Sequence, residues 1–75
     1  MEKEVIVNGK KFIVKEILAI DVDNASINWE DVNDSRKKQL TLATGLTDEE
    51  YSKLTFKERL LIQKAFNELN VEDFH

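Results

Sequence analysis

The sequence predicts an α+β fold, in which an N-terminal β-hairpin packs against three helical segments and the C-terminal half is mainly helical. Three observations predict this fold. First, Asn8-Gly9 separates two short apolar segments, and this dipeptide favours a two-residue hairpin turn. Second, Thr47 and Thr55 each precede a glutamate by three residues, which is the pattern of a capping box at a helix start. Third, the last predicted helix carries apolar residues at helical spacing.

The hairpin is expected over about residues 3–15. Pairing across the turn sets Val7 opposite Lys10. Two residues further along, Val5 stands opposite Phe12. Side chains two positions apart on a strand point to the same face, so one face of the hairpin is apolar: Val5, Val7, Phe12 and Val14. An isolated hairpin is marginally stable in water, and the helices are therefore expected to cover this face.

The segment between the hairpin and the first long helix is ambiguous. Residues 15–22 suit either a continued strand or one helical turn, because their apolar positions fit both patterns. Residues 23–31, DNASINWED, are polar and predict a loop. Trp29 is expected to anchor that loop to the core.

The first long helix is expected over about residues 33–44. Asn33 or Asp34 suits its N-cap, because a short side-chain oxygen can accept hydrogen bonds from the free N–H groups of the first turn. Gly45 is expected to end the helix in the left-handed conformation, which glycine adopts at little cost.

Two further helices are expected over about residues 48–54 and 56–69, beginning after Thr47 and Thr55. In each, the threonine hydroxyl accepts from the backbone of the glutamate three residues on, and that glutamate reaches back. The last helix has a wide apolar stripe: Phe56, Leu60, Leu61, Ile62, Ala65, Phe66 and Leu69. Most of this stripe is expected to be core, while Phe56, Leu60 and Phe74 are the candidates for an exposed surface that binds a partner.

Composition narrows the class of protein. The 75 residues predict one small domain, 1–75, whose core leaves little room for an enclosed pocket. The chain has no cysteine and a net charge of −4. The charge disfavours nucleic acid as the main partner, and the absence of cysteine suits a reducing cytoplasm. The first residues lack the apolar run of a signal peptide, and no stretch is apolar enough to cross a membrane.

The residues that carry chemistry do not form a recognisable active site. An EF-hand loop requires an oxygen ligand at position five, a glycine for the turn at position six and a glutamate ligand at position twelve. A register beginning at Asp21 places Ala25, Ser26 and Val32 there. The lone histidine, His75, stands at the chain end, where a fixed catalytic geometry is not expected. No serine stands in a motif with a base, and each glycine stands alone. The sequence therefore predicts a protein that is not an enzyme, with no catalytic residue, metal or cofactor.

A helix-turn-helix DNA-binding regulator is the main alternative. Residues 36–66 would supply two helices and a glycine-containing turn, with Lys57, Arg59 and Lys64 available for phosphate contacts. Acidic residues on and before the last helix would repel a phosphate backbone. A partner protein is therefore favoured over nucleic acid.

The C-terminal half carries five short motifs in order: ATGL at 43–46, TDEE at 47–50, LT at 54–55, FNELN at 66–70 and DF at 73–74. With these motifs, residues 42–74 resemble the tail assembly chaperones of long-tailed bacteriophages. The N-terminal VNGKKFIVKEI is similar to the opening segment of such proteins. This chain departs from the family pattern at Val71, where the family carries glycine.

The resemblance implies a non-catalytic assembly factor of a phage or prophage. Such chaperones bind the long, aggregation-prone tape measure protein, or another tail protein, and keep it soluble while tail tube subunits polymerise around it. They act in the host cell cytoplasm and are absent from the mature virion. Homo-oligomers are compatible with this role, and a minor structural phage protein, such as a connector component, is a further alternative.

Overall fold

The computed structural model describes residues 1–71 of the chain. In sequence order, its elements are strands β1 (Glu2–Val7) and β2 (Lys10–Lys15), followed by helices α1 (Ala19–Asn24), α2 (Val32–Thr44), α3 (Asp48–Ser52) and α4 (Phe56–Asn70). The predicted α+β fold with an N-terminal hairpin is confirmed. Residues 1–71 contain four helices rather than three, because the ambiguous segment after β2 forms α1.

The hairpin has the predicted register, with Val5 opposite Phe12 and Val7 opposite Lys10. Asn8 and its successor both have positive φ, at 50° and 83°, as the favoured two-residue hairpin turn requires. The twist of such a turn matches that of the strands, so the apolar residues of both strands reach one face.

Helices α2 and α4 pack on that face of the hairpin. Because two-stranded sheets cannot bury an apolar face alone, the core lies where the sheet meets this helix pair. Its fully buried large side chains are one from β2 and one from each long helix: Val14, Leu40 and Ile62. Partly buried side chains surround them: Val5, Phe12, Ile17, Tyr51, Leu54 and Leu69.

Local signals set the boundaries of the C-terminal helices. Thr47 and Thr55 both form complete capping boxes. In the second box, the Glu58 N–H donates to Thr55 Oγ1 over 3.1 Å, and the Thr55 N–H donates to Glu58 Oε1 over 2.8 Å. Gly45 ends α2 with φ of 75°. The turns between α2 and α3 and between α3 and α4 therefore follow from a glycine and from local capping hydrogen bonds, rather than from contacts distant in sequence.

The start of α2 differs from the expectation. Its N-cap is Asp31, whose carboxylate accepts from the backbone N–H groups of Asn33 and Asp34 over 3.0 and 3.2 Å, so neither of those residues caps the helix. Asp34 instead accepts from the backbone N–H of Asn28 over 3.2 Å. Asp31, Asn33 and Asp34 all have side chains that suit an N-cap. Because Asp31 is the cap, the helix begins at Val32.

The expected role of Trp29 is wrong. Its side chain is 61 % exposed, so it does not anchor the loop in the core. Polar contacts hold the loop to α2 instead, since Lys38 Nζ donates to the Ser26 carbonyl over 3.0 Å and Asp34 binds the Asn28 N–H. Within residues 1–71, none of the helices combines the length and apolar character that crossing a bilayer requires.

Candidate functional site

A groove of about 380 Å³ runs between α2 and α4. Each helix contributes its first residue and the residues three, four and seven positions further on, which share one helical face. The lining residues are Val32, Ser35, Arg36 and Gln39 from α2, and Phe56, Arg59, Leu60 and Gln63 from α4. Two matched helical stripes therefore form its sides.

Three side chains form the apolar part of the groove. Val32, Phe56 and Leu60 are 63 %, 66 % and 50 % exposed. Phe56 and Leu60 are exposed because the core takes a different stripe of α4, which includes Ile62 and Phe66. Val32 is exposed because α2 buries Leu40 and Ala43 instead. Large apolar side chains grouped at one exposed place are typical of an interaction surface.

The chain contains two arginines, and both line this groove. Arg59 Cζ lies 5.2 Å from the centroid of the Phe56 ring, which is a cation–π distance. Within residues 1–71, neither Arg36 nor Arg59 forms an ion pair, whereas six of the lysines do. The groove is therefore locally cationic on a chain whose net charge is −4.

The carboxylates near the start of each helix are engaged elsewhere and do not line the groove. Asp31 caps α2. Asp34 accepts from the Asn28 backbone N–H, which is the main cause that lowers its pKa, and it pairs with Lys38 over 3.4 Å. Asp31 and Asp34 therefore have partners other than the two arginines.

Glu58 is a buried carboxylate behind the start of α4, only 4 % exposed. The backbone N–H of Thr55 is the main cause that lowers its pKa, and Lys10 of the hairpin lies 3.7 Å away and lowers it further. An ionised group at this depth requires such partners. Glu58 therefore fixes the end of α4 that carries Phe56, and its contacts explain its burial without a catalytic role.

The groove is suited to binding. It is lined by apolar carbon, two guanidinium groups, two side-chain amides and a hydroxyl. In the part of the chain that the structure describes, no three of the His, Cys, Asp and Glu side chains are grouped so as to hold a metal ion. Over the same residues, every buried side-chain nitrogen and oxygen has a hydrogen-bond partner.

The structure brings together two of the three residues predicted from the sequence to bind a partner. Phe56 and Leu60 both line the groove. Phe74 lies outside the described residues. Sequence reasoning missed Val32, because it began the first long helix one residue later, and it did not identify Arg36 as a binding residue. The repeated offsets of zero, three, four and seven from each helix start were the signal that would have identified this face.

A second, smaller cleft of about 290 Å³ lies between α1, α2 and the end of α4. Trp29 and Val71 are on its rim. Asn70 also lines the cleft, and its side chain accepts from the Ile17 N–H over 2.8 Å and donates to the Lys15 carbonyl over 3.2 Å. This cleft has no charged lining residue and therefore offers less basis for selecting a ligand than the groove does.

Comparisons with protein-family models, with curated proteins and with solved structures found no match to this chain. The interpretation of the groove therefore depends on its own geometry and charge.

Proposed function

We propose that this protein is a non-catalytic phage tail assembly chaperone, which binds the tape measure protein and keeps it soluble while the tail tube assembles. The observation that carries the proposal is the grouping of exposed Val32, Phe56 and Leu60 between two helices that also build the core. The likeness of residues 42–74 to such chaperones supports it. In this role the protein acts in the host cell cytoplasm and is absent from the mature virion.

The size of the groove suits a reversible chaperone. Each lining stripe spans eight helical residues, a rise of about 10 Å. The groove has eight lining residues, fewer than the roughly 20–30 that each partner contributes to a stable interface. Several weakly bound copies along one client can nevertheless act together, and tube subunits can displace them one at a time. Each copy also adds a net charge of −4, which opposes aggregation of the client.

The helix-turn-helix alternative has one observation in its favour, which is that Arg36 and Arg59 lie in the same groove without carboxylate partners in residues 1–71. The three apolar side chains between them favour a protein ligand instead. A titration with duplex DNA at low salt separates the two. Tight binding that weakens steeply with added salt would support the regulator and contradict the chaperone.

The direct test is co-expression with a tape measure fragment encoded by a neighbouring gene. We expect the wild-type protein to raise the soluble fraction of the fragment. The double variant Phe56→Ser/Leu60→Ser should lose this effect while keeping the wild-type circular dichroism spectrum, since both side chains lie outside the core.

Ile20→Ser is the matched control for that test. Ile20 is a large exposed apolar residue on α1 that does not line the groove. This variant should protect the fragment as well as the wild type does. If the fragment precipitates equally with and without the wild-type protein, the chaperone proposal is wrong.

A further inference from the structure

We propose that the groove between α2 and α4 takes an amphipathic helix of the partner, whose apolar face is bordered by aspartate or glutamate. The inference deepens the proposed function and rests on it in one respect, namely that the groove is the binding site. It specifies what the client segment must look like.

The shape of the groove favours a helical ligand. Its two sides are stripes of helix surface, each with residues at offsets of zero, three, four and seven from the helix start. Ridges of a third helix pack into such a surface, and amphipathic helices bind in grooves of this kind through residues at i, i+3, i+4 and i+7. A rise of about 10 Å corresponds to two turns of the ligand, enough to place three or four apolar side chains against Val32, Phe56 and Leu60.

The charge of the groove favours an acidic border. Both arginines of the chain are here, and no lining residue is acidic. A guanidinium group presents a planar fork that matches a carboxylate with two hydrogen bonds. Stacking of Arg59 on Phe56 orders that fork beside the apolar surface, so that one ligand helix can contact both. Lysines beside the apolar face of the ligand would instead repel Arg36 and Arg59.

The two arginines give the groove a charge opposite in sign to the net charge of the molecule. With a net charge of −4, the molecule repels an acidic helix at long range, and attraction arises only when the carboxylates reach the groove. Salt at about 0.1 M screens charges more than about 10 Å apart, and it therefore weakens the long-range repulsion more than the ion pairs in the groove. In the groove, an acidic amphipathic helix gains both apolar contact and ion pairs, and no acidic lining residue opposes it.

The test uses three fluorescein-labelled peptides of roughly 16 residues, because shorter isolated helices are marginal in water. All three share leucines at i, i+3, i+4 and i+7, and they differ only in whether the bordering residues are glutamate, glutamine or lysine. Binding to the full-length protein is followed by fluorescence anisotropy. We expect the glutamate peptide to bind about three- to tenfold more tightly than the glutamine peptide, as two exposed ion pairs would give, and the lysine peptide to bind most weakly.

Variants then locate the contact. Arg36→Gln/Arg59→Gln should remove the preference for glutamate, so that the glutamate and glutamine peptides bind this variant with equal affinity. The matched control is Lys15→Gln/Lys64→Gln, which removes the same charge from two positions outside the groove and should keep most of the preference. Phe56→Ser/Leu60→Ser should weaken all three peptides.

Three results would overturn the inference. The first is equal or tighter binding of the lysine peptide, and the second is a glutamate preference that survives in Arg36→Gln/Arg59→Gln. The third is a gain of about tenfold or more in affinity in Phe74→Ser, which would show that the acidic, aromatic end of this chain is the occupant instead. If the peptides behave as expected but the tape measure fragment is not protected, the assignment of the groove stands and the chaperone role fails. The reverse outcome would keep the chaperone role and reject the acidic helix.

Discussion

Ile62 and Ile6 are the same residue type in opposite environments. Ile62 is fully buried among the helices, whereas Ile6 is 63 % exposed on the outer face of the hairpin. Removing one methyl group from a buried isoleucine leaves a small cavity, and Ile62→Val is therefore expected to lower the free energy of unfolding by about 0.5–1.5 kcal/mol. Ile6→Val should change it by less than about 0.5 kcal/mol.

Urea unfolding followed by circular dichroism measures both variants. In a domain of this size, whose net stability is on the order of 3–5 kcal/mol, the expected loss at Ile62 is readily resolved. Equal losses in the two variants would mean that the core is not centred where β2, α2 and α4 meet.

Trp29 shows where prediction from single residues fails. A large aromatic residue in a polar loop suggested an anchor, because burying it would remove much apolar surface from water. The loop is held by Asn28, Asp34 and Lys38 instead, and these local polar contacts leave the indole ring 61 % exposed on the rim of the smaller cleft. Composition indicates which residues are able to anchor a loop, but the position of the ring depends on the loop conformation.

At the scale of elements, the two capping boxes are expected to differ in importance. Thr55 starts α4, which contains Ile62, Ala65 and Phe66 of the core, whereas Thr47 starts α3, which has no buried residue. Thr55→Ala is expected to cost about 1 kcal/mol of unfolding free energy through loss of the cap. Thr55→Ser keeps the hydroxyl and should restore most of it.

Thr47→Ala is the companion variant, since it removes the same hydroxyl from the same type of box. Because α3 contributes only the partly buried Tyr51 to the core, its cap should affect global unfolding less than that of α4. Chemical unfolding of the three threonine variants under one set of conditions decides the order. A larger effect at Thr47 would contradict the proposed ranking of the helices.

The capping glutamate of α4 should make stability depend on pH. The pKa of Glu58 is lowered in the folded protein, first by the Thr55 backbone N–H and also by Lys10. A lowered folded pKa stabilises the protein above the unfolded glutamate pKa of about 4.3. This contribution is lost as the pH falls below that value and through the folded pKa.

Glu58→Gln should therefore be less stable than the wild type at pH 7 and should lose less stability on acidification. Lys10→Gln separates the two causes, since it removes the ion pair but leaves the capping hydrogen bond. That variant should keep most of the wild-type pH dependence. Unfolding midpoints in urea between roughly pH 3 and pH 7, the range that spans glutamate titration, provide the measurement. Parallel pH profiles for Glu58→Gln and the wild type would contradict this assignment.

Elements with strong local signals were predictable from the sequence. The hairpin register follows from Asn8-Gly9, and both capping boxes follow from threonine–glutamate pairs. By contrast, α1 has no side-chain cap and no buried residue, so its sequence contains little that distinguishes a helix from a strand. The groove was predictable only in part, because Phe56 and Leu60 belong to one helix while its other side depends on how α2 packs against α4.

At the scale of the whole molecule, α2 and α4 each contribute to both the core and the groove. One stripe of each helix builds the core with the hairpin, through Leu40 and Ile62. A separate stripe of each lines the groove. Groups that bind a partner are held most accurately on rigid elements that are supported by packing behind them. This arrangement also explains why substitutions at Phe56 and Leu60 are expected to affect binding without unfolding the protein.

The same division predicts a graded pattern of amide hydrogen exchange. The Leu40 and Ile62 amides lie in helices that hold the core, and they should exchange only through global unfolding. Their opening free energies should therefore equal the value from urea unfolding. Amides of α1 and α3 should open at lower free energy, because neither helix has a buried residue. Nuclear magnetic resonance exchange rates resolve these classes. If α3 amides were as protected as that of Ile62, the molecule would open as one unit. The α2–α4 pair would then be no more rigid than the rest of the fold.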